Sequence, residues 1–564
     1  MSTIDWLVLL LTLIFIIAYG LLKGRKQNGS YTYLLAERQM PWYIVLSGIM
    51  ATQASAITFL SAPGQAYTDG MRFVQYYFGL PVAMVVICVT FIPIFRKLNV
   101  YTAYEYLEKR FDKKTRLLTA SLFLLSRGLS TGISIYAPAI IFSSILNINI
   151  YAANLITGGL LVIYTYTGGA KAVAHTQKLQ FLIIISAMAW AGYEVVHRLP
   201  AGVGMTDALY LAGKAGKLNV ITTAFTWKDK YNLWSGLIGG FFLALSYFGT
   251  DQSQVGRYLT AKNDNEGKSG LLLNGIVKIP MQFLILLLGT LVFVFYSYSP
   301  APVNFNNVAT EKFSQAEPAA AMEINKRYEA LRAANMRSAA ELTSLRRSGA
   351  ASRLADNETS YKGTCEEIRK FRDSVSVMLS AKKYSADKND VNYIFLYFVR
   401  HSLPVGVVGL LFAVIILASW GSISAALNSL AASSLMDIHL HKKKYNSPER
   451  ELALGRWHTL GWGIFCILIA MFAARLGSLI EAVNILGSLF YGTILGIFLV
   501  AFYIKRIGGG VVFTAAIITE IVVISVYYCD IVSFLWLNVI GAMLVVIISF
   551  VLLFCRVGGK NLTN

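Results

Sequence analysis

The stretch WYIVLSGIMATQASAITFLSAPGQAY, residues 42–67, is long enough to cross a membrane, yet polar residues interrupt it near its middle. The interrupting residues are Ser47, Gly48, Thr52, Gln53, Ser55 and Thr58. A helix that faced lipid would leave their hydroxyl and amide groups without hydrogen-bond partners. We therefore expect this segment to face the interior of a helix bundle, where polar groups inside a membrane usually have a function.

Similar apolar runs recur along nearly the whole chain. Of its 564 residues, 56% are hydrophobic and only 14% are charged, and the mean hydropathy is +0.56. A water-soluble domain could not bury so much apolar surface. We predict an all-α polytopic membrane protein with about 13 transmembrane helices, at residues 4–23, 41–63, 73–95, 117–146, 150–168, 176–197, 233–251, 270–298, 403–437, 453–474, 477–503, 509–528 and 531–555.

The net charge of +20 raises the question of nucleic-acid binding. With the N-terminus placed outside, however, the basic residues concentrate in the segments on the cytoplasmic side, such as residues 23–38, 96–116 and 442–456. This asymmetry is the positive-inside rule of membrane proteins. It predicts an outer N-terminus and a cytoplasmic C-terminus, and it leaves no basis for a nucleic-acid partner.

One segment departs from the membrane composition. We divide the chain into spans 1–8 (residues 1–301), a helical insert outside the membrane (302–392) and spans 9–13 (393–564). The insert contains charged, helix-forming sequence such as EINKRYEALRAANMRSAAELTSLRR, residues 323–347, with sparse apolar positions. The simpler interpretation is a solvated helical hairpin, and binding of a partner protein is the alternative.

The seventh predicted span resembles the second in its polarity. It belongs to the stretch LIGGFFLALSYFGTDQSQVGRYLTA, residues 237–261, which includes Ser246, Gly249, Thr250 and Asp251. If spans 2–6 and 7–11 are two inverted five-helix repeats, the two polar segments occupy equivalent places. Transporters built from such repeats use broken helices to form a site halfway across the bilayer. The alternative is that the small residues only allow close helix packing.

Other function classes lack their motifs. The nearest candidate for a phosphate-binding loop, Glu266–Ser269, would need a glycine where Lys262 stands. The spans also contain no HExxH metal motif, so we predict no enzyme. A membrane sensor or receptor on a transporter scaffold remains the alternative of another class.

Four stretches carry a resemblance to the sodium/solute symporter family. They are Ala51–Phe59, Thr131–Ala139, Gly249–Gln252 leading to Arg257–Leu259, and Leu427–Ser429 leading to Met436–Ile438. The sequence YAPA at 136–139 resembles the monocarboxylate, iodide and multivitamin branch, whereas SAITF at 55–59 resembles the sialic-acid branch. The resemblance implies a leucine-transporter-like core and sodium-coupled symport of a small organic solute by alternating access. Coupling to protons, or transport without an ion, stays open.

The resemblance also implies a sodium site between the second and ninth spans, with ligands from Ala51, Ala54, Ala418 and Ser422. Neutral oxygens suit sodium, because it is a hard cation. Gly421 stands where the family usually has Ser or Thr, so this site has one hydroxyl fewer. An accessory sodium site has Gln177 at its aspartate position and keeps only the Ser424 hydroxyl, so we expect one sodium ion per solute.

The same resemblance implies the residues that bind the solute: Gln53, Ser55, Thr58, Phe73, Tyr77, Tyr247 and Lys278. Tyr247 corresponds to an inner aromatic gate. Lys278 lies inside an apolar run, so it either finds an anion in the bundle or extends to the cytoplasmic edge. Because the polar residues of the sugar-carrying branch are missing at Ala244 and Tyr77, organic anions or sialic-acid-like solutes are favoured over hexoses.

For location, the sequence predicts an integral plasma-membrane protein in contact with lipid, with a bacterial inner membrane favoured. The sequon Asn357-Glu358-Thr359 keeps a glycosylated eukaryotic protein as the alternative.

Overall fold

The computed structural model describes residues 1–24, 39–53, 55–98, 100, 102–146, 148–349, 351–382, 384, 387, 389–439, 448–473 and 477–560. Most of these residues are helical, and the only β-type pairing among them is an isolated bridge between Met40 and Ala261. The prediction of an all-α membrane protein is confirmed.

We number the α-helices in chain order. They are α1 (Thr3–Gly24), α2 (Trp42–Gln53), α3 (Ala56–Asp69), α4 (Leu80–Val86), α5 (Ile92–Lys97), α6 (Ala103–Arg110), α7 (Lys113–Leu146), α8 (Ile150–His197), α9 (Met205–Lys214), α10 (Gly240–Thr250), α11 (Gln252–Leu259), α12 (Asp264–Tyr298), α13 (Asn307–Ala316), α14 (Pro318–Ser348), α15 (Ala351–Ala381), α16 (Val391–Ser402), α17 (Val407–Ser433), α18 (Pro448–Ala470), α19 (Leu479–Tyr503), α20 (Gly509–Tyr528) and α21 (Phe534–Lys560).

Nine helical stretches in the described part of the chain are long and apolar enough to cross a membrane, and three shorter apolar helices accompany them. One of the nine, Ala56–Lys97, joins two predicted spans through a 3₁₀ segment, Gly70–Tyr77. The count of thirteen spans therefore stays a prediction.

Helix α8 covers the predicted fifth and sixth spans without an assigned interruption. The Tyr164 hydroxyl nevertheless lies 3.4 Å from the Thr176 hydroxyl. Twelve residues of straight α-helix would separate the two positions by about 18 Å. The chain therefore changes direction sharply between these residues, as two antiparallel spans require.

The second predicted span is broken in the middle. Helix α2 ends at Gln53, Ser55 has extended backbone (φ −81°, ψ 173°), and α3 begins at Ala56. The seventh predicted span is also interrupted, at Asp251, where the backbone is extended between α10 and α11. This second interruption lies at the end of the predicted span 233–251, not within it.

The insert forms a helical hairpin of α14 and α15, and Gly349 at its turn has the left-handed conformation (φ +70°). It has a small core of its own, formed by Val303, Phe313, Ala321, Tyr328, Val375 and Leu379. It also packs on the membrane helices, because the fully buried Tyr361 hydroxyl lies 3.1 Å from that of Ser297 in α12. The hairpin is thus less solvated than the sequence suggests. We call the end of the bundle that carries it the insert side.

Close packing between α12 and α3 depends on Gly289. A Cβ atom at this position would lie 2.1 Å from the Pro63 carbonyl oxygen. We expect Gly289→Ala to destabilise the fold by about 1–3 kcal/mol, because the two backbones would have to separate. Gly192→Ala in α8 is the matched control, since a Cβ atom there would meet nothing within 4 Å. A lower apparent melting temperature in detergent for Gly289→Ala alone supports the packing, and equal values for both variants contradict it.

Candidate functional site

A cavity of about 150 Å³ lies inside the helix bundle beside the break between α2 and α3. Helices α7, α10, α12, α17 and α19 complete its walls. Its polar and aromatic lining consists of Thr52, Gln53, Ser55, Thr58, Tyr76, Tyr77, Arg127, Ser130, Thr131, Ser134, Tyr247, Phe248, Lys278, Ser422, Asn484 and Tyr491. We call it the central cavity.

Six of the seven residues predicted to bind the solute line this cavity: Gln53, Ser55, Thr58, Tyr77, Tyr247 and Lys278. Phe73 does not. Its buried ring stacks on Tyr76 at 5.4 Å and meets Tyr77 edge-on at 6.0 Å. The structure therefore places Phe73 behind the tyrosines that face the cavity, and its contact with a solute stays a prediction.

The broken helix is held by its own polar side chains. The Thr58 hydroxyl donates to the Gln53 carbonyl oxygen at 2.9 Å, so it satisfies a carbonyl that the interrupted helix leaves free. The Gln53 amide donates to the Asn274 side-chain oxygen of α12 at 2.9 Å. These contacts explain why Gln and Thr interrupt the apolar run: they fix the break against a neighbouring helix.

Lys278 lies on α12 only four residues, about one turn, beyond Asn274. It is 1% exposed, and within the described residues its ammonium forms no ion pair and no hydrogen bond. The ammonium lies 5.3 Å from the centroid of the Tyr77 ring. It faces the cavity and does not extend to the cytoplasmic edge. An ammonium in this position attracts an anion whose oxygen atoms can accept hydrogen bonds from it.

Arg127 of α7 is a second cation on the cavity wall, and it was missing from the predicted binding set. Its guanidinium lies 3.8 Å from the Asp251 carboxylate and 5.7 Å from the centroid of the Tyr247 ring. The Tyr491 hydroxyl donates to the same carboxylate at 2.9 Å. Asp251, at the second helix interruption, therefore neutralises Arg127. The sequence signal that could have identified Arg127 as a site residue was its position inside a predicted span, where charged residues usually have a function.

At the insert side of the cavity lies a hydrogen bond that the sequence did not indicate. Tyr76 donates its hydroxyl proton to the Asn484 side-chain oxygen at 3.1 Å, joining the 3₁₀ segment to α19. On the opposite side, Gln254 donates to the Tyr247 hydroxyl at 2.7 Å. Tyr247 thus stands at the end of the cavity away from the insert, and its role as an inner gate stays a prediction.

The predicted sodium ligands lie on two helices that pack together beside the break. Ala51 is on α2, Ala418 and Ser422 are on α17, and Ala54 lies outside the described residues. The Ser422 hydroxyl donates to the Ser419 carbonyl at 3.0 Å and also lines the central cavity. Among the described residues no cluster of three or more His, Cys, Asp or Glu could hold a metal ion. The oxygen atoms at these positions are neutral, and sodium accepts neutral oxygen ligands.

Gly421 is packed against α8. Its carbonyl accepts a hydrogen bond of 3.1 Å from the Gln177 amide. A Cβ atom at Gly421 would lie 2.7 Å from the Gln180 side-chain oxygen. Gly421 and Gln177, the two positions that differ from the sodium sites implied by the resemblance, are therefore in contact.

The chain matches known transporters over most of its length. The model of the sodium:solute symporter family matches residues 33–343 and 371–519. The sodium/sialic acid symporter NanT of Aliivibrio fischeri is 24% identical over 557 residues, which cover 97% of this chain and 92% of that protein. The human sodium/iodide cotransporter is 31% identical over 282 residues, 49% of this chain and 43% of the relative.

A solved structure of a sodium-coupled sialic acid symporter in a substrate-bound outward-open state has the same fold. Its TM-score is 0.74 at 23% identity, and the match covers 98% of this chain and 97% of that one. The family and these relatives are transporters, so neither the sensor nor the ion-independent alternative is favoured. The chain belongs to the sodium:solute symporter family, and its activity is symport coupled to sodium.

Proposed function

We propose that the chain uses sodium entry to drive uptake of a small organic monocarboxylate, which binds in the central cavity. The observation that carries this proposal is Lys278, a buried ammonium that faces the cavity and has no anionic partner among the described residues. An unpaired lysine at membrane depth costs at least about 2.5–3.5 kcal/mol, so a bound anion would offset an existing penalty.

The charges favour a single negative charge on the solute. Arg127 and Lys278 contribute two positive charges, and Asp251 beside Arg127 contributes one negative charge. The remaining charge of +1 matches one carboxylate. Tyr76, Tyr77, Tyr247 and Phe248 offer aromatic surface for an apolar body, while the hydroxyls of Ser55 and Thr58 and the amide of Gln53 offer polar contacts.

The full-length similarity to a sialic acid symporter also favours a solute that carries a carboxylate.

Sodium would bind between α2 and α17, with oxygens from Ala51, Ala54, Ala418 and Ser422. Ser422 also lines the central cavity. A residue shared by both sites would let sodium order the wall that the solute contacts. Binding of either ligand then strengthens binding of the other, which is the requirement for coupled transport.

We further propose thirteen spans with inverted repeats over spans 2–6 and 7–11, an outer N-terminus and a cytoplasmic C-terminus. The insert then lies outside the membrane. The two helix interruptions and the direction change within α8 support this topology. Similarity over the full length to bacterial symporters supports a bacterial inner membrane.

Replacing Lys278 tests the solute site. We expect Lys278→Met to lower sodium-driven uptake of a responsive carboxylate into proteoliposomes by about ten- to a hundredfold, because one charged hydrogen bond is lost. Lys278→Arg, which keeps the charge, serves as the control and should retain more uptake. The panel contains pyruvate, benzoate, N-acetylneuraminate, iodide and galactose. Full uptake by Lys278→Met, or transport of galactose alone, contradicts an anion site.

Gly421 tests the sodium site. We expect Gly421→Ser to lower the sodium concentration that gives half-maximal uptake, because one oxygen ligand is added. The gain in sodium-binding free energy should be on the order of 1 kcal/mol. Gly421→Ala is the control. It causes the same displacement of Gln180 without adding a hydroxyl. If both variants need equal sodium concentrations, the side chain at this position does not contact the ion.

A further inference from the structure

A groove of about 740 Å³ opens on the side of the bundle between α7 and α18. Its lining includes Ser121 and Leu125 of α7, His439 from the helical segment that continues α17, and Trp457, His458 and Gly461 of α18. Further along α7, the Tyr136 hydroxyl donates to the Asp387 carboxylate at 3.2 Å, a few residues after the last insert helix. The groove therefore faces the half of the membrane away from the insert side. We call it the lateral groove.

The lateral groove is apolar in its part nearer the insert side. Leu125 of α7 and Phe465 of α18 line this part, and Leu125 is 47% exposed. A Cβ atom at Gly461 would meet nothing within 4 Å, so close helix packing does not explain this glycine, in contrast to Gly289. The open space between the two helices suits a flexible apolar chain.

A polar layer follows toward the other end of the groove. The His458 Nδ1 atom lies 2.9 Å from the Ser434 hydroxyl oxygen, which also accepts a 3.1 Å hydrogen bond from the Trp462 indole. The rings of His439 and His458 meet edge-on, with 5.5 Å between their centroids. Because Nδ1 of His458 contacts Ser434, the Nε2 atom is the one that can bond a molecule in the groove. The Ser121 hydroxyl belongs to the opposite wall.

Cations stand beyond the polar layer on both walls. Lys114 is exposed and precedes Ser121 by seven residues, which places it on the same face of α7, about 10 Å further from the insert. Arg450 is exposed and precedes Leu454, another lining residue, by one turn of α18. The two walls therefore end in positive charge at the same end of the bundle.

Acidic residues nearby do not cancel this charge. Residues 441–456 contain five Lys or Arg and only two acidic residues, Glu449 and Glu451, which leaves a net charge of +3. Near the start of α7, the Asp112 carboxylate accepts hydrogen bonds of 2.8 and 2.9 Å from the backbone and hydroxyl of Thr115. The end of the groove away from the insert is therefore a positively charged rim on a membrane helix pair.

Apolar, polar and cationic residues thus follow one another as the acyl chains, ester groups and phosphate of a phospholipid do. Between Phe465 and Arg450 the helix rises by about 22 Å. Half of a bilayer with its headgroups is also about 20–22 Å thick. Basic pockets between membrane helices are known to bind anionic headgroups. The lateral groove therefore matches one lipid molecule in length, polarity and charge.

We propose that the lateral groove is a binding site for one anionic glycerophospholipid. Its phosphate lies near Lys114 and Arg450, its ester groups lie beside His458, and an acyl chain occupies the space over Gly461. Ordinary contact with bilayer lipid would show no preference for a headgroup, whereas this site requires a negative one. The inference is independent of the proposed solute.

Trp457 gives a direct test, because it lines the groove and is 67% exposed. The purified protein in detergent micelles is titrated with phosphatidylglycerol or phosphatidylcholine, each brominated on its acyl chains so that it quenches nearby tryptophans. The fluorescence of Trp457 is the difference between the unchanged protein and Trp457→Phe. Trp190 of α8, which is 50% exposed and lies outside the groove, is measured in the same way through Trp190→Phe and reports ordinary lipid contact.

We expect Trp457 to be quenched at a several-fold lower mole fraction of brominated phosphatidylglycerol than of brominated phosphatidylcholine, while Trp190 should not distinguish the two lipids. Lys114→Gln combined with Arg450→Gln should abolish the preference at Trp457. Lys505→Gln combined with Arg506→Gln removes two exposed cations outside the groove and should keep it. Equal quenching of Trp457 by both lipids, or a preference that survives the change of Lys114 and Arg450, would overturn the proposal.

Filling the groove tests the position of the acyl chain. Gly461→Leu should raise the mole fraction of brominated phosphatidylglycerol needed to quench Trp457 by several-fold, because the new side chain occupies the space of the lipid. Gly192→Leu is the control, since a side chain there also enters open space but outside the groove. If both variants are quenched like the unchanged protein, no acyl chain lies over Gly461 and the inference is wrong.

Discussion

The interruption of the helix between Gln53 and Ala56 is the constraint on which the rest of the site depends. A continuous α-helix at this depth would use its carbonyl groups internally and would have none to offer a ligand. Here the Thr58 hydroxyl donates to one freed carbonyl, and Gln53 ties the end of α2 to Asn274. The break is therefore a fixed element of the bundle, and the proposed solute and sodium sites both lie beside it.

The buried cations of the bundle differ in whether they have an anionic partner. Arg116 is held by Asp437 at 2.7 Å and by Glu108 at 2.6 Å, an arrangement that connects α7 to the end of α17 and leaves no positive charge for a ligand. Lys278 has no such partner in the part of the chain that the structure describes. A paired buried charge can be structural, whereas an unpaired one in a cavity is an energetic cost that a solute can offset.

The sequence predicted the fold and much of the central cavity, because both depend on patterns that the membrane enforces. Apolar runs must be about 20 residues long, and polar groups within them must face the bundle, so Gln53, Ser55, Thr58 and Lys278 were identifiable. Asn484 and Tyr76 could not be identified from the sequence, since an asparagine or tyrosine near the end of a span is common. Tyr361 likewise gave no sign that the insert packs on the membrane helices, because contacts between distant segments leave no periodic signal in a sparse apolar pattern.

The most direct test of sodium-coupled carboxylate binding is thermal unfolding of the purified protein with benzoate or benzamide, each in sodium and in potassium at equal ionic strength. A ligand that binds only the folded state raises its stability in proportion to RT ln(1 + [L]/Kd). Sodium-coupled binding of a carboxylate predicts a higher apparent melting temperature with benzoate in sodium, a much smaller shift in potassium and no shift with benzamide. Equal stabilisation by benzoate in both salts, or stabilisation by benzamide alone, would contradict sodium-coupled binding of a carboxylate.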